Sequence, residues 1–99
     1  MARFDVYAPP GSSAFLLDCQ SDVLAMLTTR LVVPLLPPGE GPLPISRLNP
    51  TFQVEGQPVV MYTQWAASVP KQELTNPLSS LAEEDRAIIN AFDMLLTGY

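Results

Sequence analysis

The spacing of apolar residues changes once along this chain. Up to about residue 70 they come in short runs, several of them alternating with polar residues. Beyond residue 80 they recur every three or four positions. Arg3-Phe4-Asp5-Val6-Tyr7 alternates, with Phe4 and Val6 facing one way, and reads as a first strand. Pro9 to Ser13 is a turn or loop, and Ala14 to Cys19 reads as a second strand that makes a hairpin with the first. Gln20-Ser21-Asp22 breaks the pattern, because Ser and Asp compete for backbone groups and favour turns or caps. Val23 to Thr29 fits a short loop or one irregular turn.

Leu31-Val32-Val33-Pro34-Leu35-Leu36 is rich in β-formers but contains a proline. That places it at an edge or bulge, or ends its pairing at Val33. Residues 37 to 44 form an exposed proline loop, and Asn49-Pro50 is a turn. Thr51 to Val54 and Pro58 to Thr63 predict a second hairpin around Glu55-Gly56-Gln57, with Gly56 supplying a positive φ. Gln64 to Val69 is irregular or a brief strand, and Pro70 ends it.

The last stretch reads differently. Ser80 is an N-cap candidate with Glu83 three residues on, the spacing of a capping box. Glu83, Glu84 and Asp85 put negative charge where the helix dipole favours it. Leu81, Ile88, Ile89, Phe92, Leu95 and Leu96 share an apolar face that is mainly core, so a helix over about 80–96 is predicted. Gly98 suits a left-handed closing residue. Short antiparallel strands followed by one C-terminal helix make a mainly β (α+β) fold or a small open barrel.

Composition narrows the function. One domain, 1–99, is expected from the length of 99 residues. Apolar residues make up 47% and charged ones 15%, enough to fold with apolar surface left over for a partner. Eleven prolines spread along the chain are too many for a helical bundle. A net charge of -5, with the basic residues Arg3, Arg30, Arg47, Lys71 and Arg86 scattered, argues against direct nucleic-acid binding. No run is long enough for a membrane span, no signal peptide is recognisable, and Cys19 has no disulfide partner, so a cytoplasmic protein is expected.

Candidate chemistry is sparse. Without histidine and with one cysteine, neither a Ser-His or Cys-His nucleophile pair nor a zinc site can be assembled. No phosphate-cradling glycine motif occurs, and no cofactor or metal is expected. The acidic trio 83–85 reads as a solvated helix start, Asp18 and Asp22 as turn residues bonding the backbone, and Cys19 as a small buried hydrophobe. A protein that is not an enzyme is the outcome.

Four stretches nonetheless carry a pattern in one order. Cys19-Gln20-Ser21-Asp22-Val23-Leu24 resembles Val-Gln-Ser-Asp-Ile-Ile, and Arg30-Leu31-Val32-Val33-Pro34-Leu35 resembles Arg-x-Val-Ile-Pro-Leu. Met61 to Pro70 is similar to Met-x-Thr-x-x-x-Ala-Ser-Val-Pro, and Ile88 to Tyr99 to a terminal helix with a Gly-containing end. Together they resemble the CcdB family of toxins, over about Phe4 to Tyr99. The resemblance implies a homodimer with an SH3-like small antiparallel β-barrel and one C-terminal helix. It implies a toxin of a type II toxin–antitoxin system that binds the DNA gyrase A subunit and traps the cleaved-DNA complex. A CcdA-like antitoxin would neutralise it.

Carried over by residue, the resemblance assigns gyrase binding to Val23, Leu24, Thr97, Gly98 and Tyr99; Met94, one turn before Gly98, is expected with Gly98 near the dimer axis. Trp65 becomes an antitoxin anchor. Read without the resemblance, Val23 and Leu24 are more often core residues, Trp65 is as readily core as interface, and Met94 packs beneath the barrel nearly as readily as at an axis. The family's best-known form ends Trp-Gly-Ile, whereas Thr97 stands here at the Trp position and the aromatic comes last. A non-toxic SH3-like dimeric module that keeps antitoxin binding is therefore the rival expectation.

Overall fold

The computed structural model describes residues 1–98, so Tyr99, one of the residues assigned to gyrase binding, lies outside the described residues. The strands among these residues are β1 (Asp5–Tyr7), β2 (Phe15–Asp18), β3 (Thr29–Leu36), β4 (Thr51–Val54), β5 (Gln57–Met61), β6 (Ala67–Pro70) and β7 (Ser79–Ser80). They join antiparallel in the order β4-β5-β3-β2-β1-β7, with β6 also on β3, and curl into a nearly closed barrel. Helix α1 (Asp85–Thr97) follows a single 3₁₀ turn at Ala82–Glu84. The expected β-barrel with one C-terminal helix is what forms.

Alternation sets the two faces of the sheet. Val6, Leu17 and Val33 stand side by side across β1, β2 and β3, and all three are fully buried inside the barrel. Phe4, Cys19, Leu35, Phe52, Val54, Val59 and Met61 belong to the same core, as do Leu81 and Ile88 and Ala91 of α1. Burying a side chain such as Ile88 contributes roughly 1.5–3 kcal/mol. On the opposite face of the same strands, Tyr7, Val32 and Leu74 make a smaller cluster with Leu16 and Val69. Both expected hairpins form. Glu55 (φ 52°) and Gly56 (φ 77°) take the paired left-handed conformations of a type I′ turn, which matches the twist of the flanking strands.

Three expectations change. Pro34 neither ends β3 nor sits at an edge. Its strand runs unbroken to Leu36 and is paired on both sides. Along one side β3 pairs with β6 up to Val32↔Ala67 and with β5 from Leu35↔Met61, and Pro34 lies where one partner hands over to the other. Its carbonyl accepts the Tyr62 N–H at 3.1 Å, and its nitrogen faces the same side, into the gap.

The helix also begins later than Ser80. Ser80 pairs with Asp5 as part of β7, and the Leu81 N–H donates to the Phe4 carbonyl at 2.9 Å, which holds Ser79–Ser80 in the sheet, while Leu81 is buried. Ser80 Oγ accepts only the Ala82 N–H, at 3.2 Å, and the N-cap of α1 is Glu84 without a side-chain bond. Sheet pairing overrides the local capping signal here. Finally, the apolar face of α1 is wider than the core it covers: Ile89 (37% exposed), Leu95 (40%) and Leu96 (76%) point out. Gly98 closes the helix as expected, at φ 82°, with its N–H on the Met94 carbonyl at 3.1 Å.

Candidate protein-binding site

Between β2 and β3 the chain leaves the barrel for ten residues and returns. Ser21 caps a 3₁₀ turn over Asp22–Leu24, its Oγ accepting the Val23 N–H at 3.3 Å. The segment then exposes Val23 (79%), Leu24 (43%), Met26 (72%) and Leu27 (43%). Four large apolar side chains within five residues, none buried, is the reverse of what a core segment does. Val23 and Leu24 are thus surface residues, and the reading of them as core falls. The segment is nonetheless tied down. Asp22 Oδ1 accepts the Arg3 N–H at 3.0 Å, Lys71 Nζ donates to the Ala25 carbonyl at 3.2 Å, and the Lys71 N–H to the Thr28 carbonyl at 3.0 Å.

Under this tip lies a buried ion pair. Arg30 on β3 and Asp18 on β2 are both essentially inaccessible. Arg30 Nε donates to both Asp18 oxygens (3.1 and 2.9 Å) and Nη2 reaches Oδ2 at 2.8 Å. The same Nη2 lies 3.3 Å from the Gln20 carbonyl and 3.6 Å from Asp22 Oδ1. Burial pushes the Asp18 carboxyl above its ordinary range, and the Arg30 guanidinium only partly pulls it back. Burial works against the Arg30 charge, and the bonds to Asp18 more than restore it. Asp18 is therefore no simple turn residue, although its Oδ1 does also accept the Gln20 N–H at 3.2 Å. Cys19 behaves as expected: it is buried on the barrel side, and desolvation, with the Asp18 charge next to it, pushes its thiol up to about 12. Tyr7, on the Asp18 face, has its phenol raised by burial, and its buried hydroxyl has no hydrogen-bond partner among the described residues. Nearby, a cavity of about 300 Å³ is lined by Tyr7, Pro9, Pro10, Leu16, Val69 and Leu74, with Glu73 its one charged residue.

The other assigned residues sit elsewhere on the chain. Met94 is half-buried, and Leu96, Thr97 and Gly98 stand exposed at the end of α1. Thr97 Oγ1 folds back to donate to the Asp93 carbonyl at 2.7 Å, which uses its one donor and leaves the methyl group and an acceptor lone pair to meet a partner. Helix α1 packs on the 3₁₀ turns at 63–65 and 82–84, so Val23–Leu24 and Thr97–Gly98 belong to separate elements with separate neighbours. Trp65 is half-exposed: it stacks on Tyr62 at 5.1 Å between ring centroids and leaves 47% of its surface open. Sequence reasoning missed Met26 and Leu27 as surface residues and Arg30 as the buried anchor. The available signal for Arg30 was a charge heading a strongly apolar strand, which demands a buried partner.

These features make a surface for contact. Among the described residues no group of His, Cys, Asp and Glu could hold a metal, and no helix is long and apolar enough to cross a membrane. Among curated proteins none matches the chain. Compared with protein families, residues 3–98 match the family described as CcdB protein. That match spans nearly the whole chain, and with the barrel and the terminal helix in place it means that this chain belongs to the CcdB family of toxins.

Proposed function

We propose that this chain acts in the cytoplasm as the toxin of a type II toxin–antitoxin pair, docking on the DNA gyrase A subunit through Val23 and Leu24 together with Thr97, Gly98 and Tyr99. The observation that carries this reading is the tip itself, with its apolar side chains held out to solvent on a hydrogen-bonded base. Such a surface gains by being covered, and Met26 and Leu27 extend it. A homodimer with Met94 and Gly98 near its axis presents two copies of the tip to a two-fold symmetric target. The break in DNA is made by gyrase, and the toxin only has to hold the cleaved state. The open face of Trp65 is the anchor for a CcdA-like antitoxin, since a stacked, half-exposed indole offers a large rigid contact.

One observation favours the rival reading. With its hydroxyl turned into the helix, Thr97 is a poor replacement for a flat aromatic anchor, as expected of a dimeric binding module that has kept its antitoxin and lost its poison. A gyrase cleavage assay separates the two. Supercoiled plasmid, gyrase, ATP and the purified protein are incubated, denatured and scored for linear DNA. Linear product establishes poisoning. Its absence, with gyrase responding to a known poison, assigns the chain to the binding module.

A further inference from the structure

The apolar tip has no packing of its own to hold it. The 3₁₀ turn Asp22–Leu24 contains no buried residue, so its shape rests mainly on hydrogen bonds and on the Arg30–Asp22 contact. One residue supplies an unusual share of the hydrogen bonds. The β2–β3 ladder ends where the Cys19 N–H meets the Leu31 carbonyl at 2.8 Å, and beyond that point the Gln20 side chain takes the place of the next rung. Its Oε1 accepts the Leu31 N–H at 3.1 Å, and its Nε2 donates to the Leu24 carbonyl at 3.2 Å. Its backbone is fixed from beneath, the N–H on Asp18 Oδ1 and the carbonyl on Arg30 Nη2.

We propose that Gln20 is a positioning residue, whose side-chain amide braces Leu24 against β3 and holds the Val23–Leu24 tip in its docking shape before a partner arrives. This rests on the reading that the tip docks on gyrase. A tip already ordered loses less conformational freedom on binding, and that saving appears as affinity. Only an amide can do both jobs here: an acceptor must meet the Leu31 N–H while a donor meets the Leu24 carbonyl. Glutamate would turn a second acceptor toward that carbonyl, and asparagine is one methylene shorter. The bond from Gln20 to Leu24 is solvent-exposed, as are the ties from Arg3, Lys71 and the Ser21 cap, but the Gln20 amide is anchored at its other end by the part-buried bond from the Leu31 N–H.

The test uses Gln20→Glu and Gln20→Met in the full chain. Both lose the bond to Leu24, whereas only the first keeps an acceptor for Leu31 and adds a charge, so an effect they share belongs to the brace. Each variant is titrated against a gyrase A fragment. In the free protein, amide relaxation is measured over residues 23–27 and hydrogen exchange at Val6, Leu17 and Val33. The expected result is about tenfold weaker binding for both, a tip that becomes mobile, and barrel amides as protected as before. An ordered tip in both variants overturns the proposal, as does a mobile tip with unchanged affinity. Barrel protection that falls in step with affinity overturns it too, because that marks a merely structural role. If wild-type protein does not bind the fragment, the docking reading fails and this inference with it. If wild type binds and only the variants disagree, the brace alone is wrong.

Discussion

Two loops of this protein expose large apolar side chains, and they are fastened by different means. The tip at 20–28 stands over a buried charge pair, Arg30 with Asp18. The proline loop at 37–50, which exposes Leu43 (91%) and Ile45 (52%), has no buried charge pair beneath it, and its buried ties are made by neutral groups. Buried Asn49 accepts the Ile45 N–H at 3.0 Å and donates to the Met61 carbonyl (3.0 Å) and Gln64 Oε1 (2.8 Å). Tyr62 Oη donates to the Pro42 carbonyl and Thr63 Oγ1 to the Leu48 carbonyl, each at 2.6 Å. A neutral fastening that loses one partner leaves unsatisfied dipoles. A charged fastening that loses one partner leaves an ion in a dry place. The two loops should therefore fail by different amounts, and the charged one fails harder.

Asp18→Ala is expected to have the largest effect, because it strands the Arg30 guanidinium in the protein. Loss of about 3–5 kcal/mol in urea unfolding is expected, with much of it recovered in the double variant Asp18→Leu/Arg30→Met, where no charge remains. A loss under 1 kcal/mol for the single change would break the comparison. Asn49→Ala comes next. Stability should fall by about 1–3 kcal/mol, the usual cost of buried groups left unpaired, with Trp65 fluorescence responding because Gln64 and Trp65 share one turn.

Cys19 gives a smaller effect that sharpens the charged side of the comparison. Its folded thiol is held near 12, well above the ordinary 9.0, so the unfolded chain releases this proton first as the solution is made alkaline. Stability from this group is intact below pH 9 and is lost as pH rises, by about 1.4 kcal/mol at pH 10, where a Cys19→Ala variant should lack that slope. Within the native state the thiol should resist alkylation at pH 8. Least disturbing for the fold are Leu24→Ser and Leu43→Ser, each expected to move stability by no more than about 0.5 kcal/mol, since both side chains are exposed. They should part in function, with linear DNA from gyrase falling for Leu24→Ser and unchanged for Leu43→Ser.

Much of the architecture is legible in local chemistry. Glu55-Gly56 announces a tight hairpin, the alternation of Phe4 and Val6 announces an inward face, and Gly98 announces the end of a helix. Each of these depends on a few neighbouring residues. What escapes is set by distant ones. Ser80 looks like a cap until Asp5 claims it for the sheet, and Pro34 looks like a strand terminator until β5 and β6 are seen to change places beside it. The tip shows the same division. Its apolar character is written in Val23, Leu24, Met26 and Leu27, but whether such residues face in or out depends on what lies under them. Here that is an ion pair brought together from residues 18 and 30.

The gap beside Pro34 has a consequence before the barrel exists. Leu31 to Leu36 is the most apolar stretch of the chain, and β3 is the strand with the most partners, two of which come from residues 57 to 70. While those residues are still being made, β3 offers one open edge to any other strand in the cell. An imino acid in the middle of that edge interrupts the row of donors that a second chain would need to stack against it. In the finished barrel the missing donor costs little, because on that side Pro34 pairs through its carbonyl, which accepts the Tyr62 N–H. In a half-made chain it acts as a gatekeeper against aggregation.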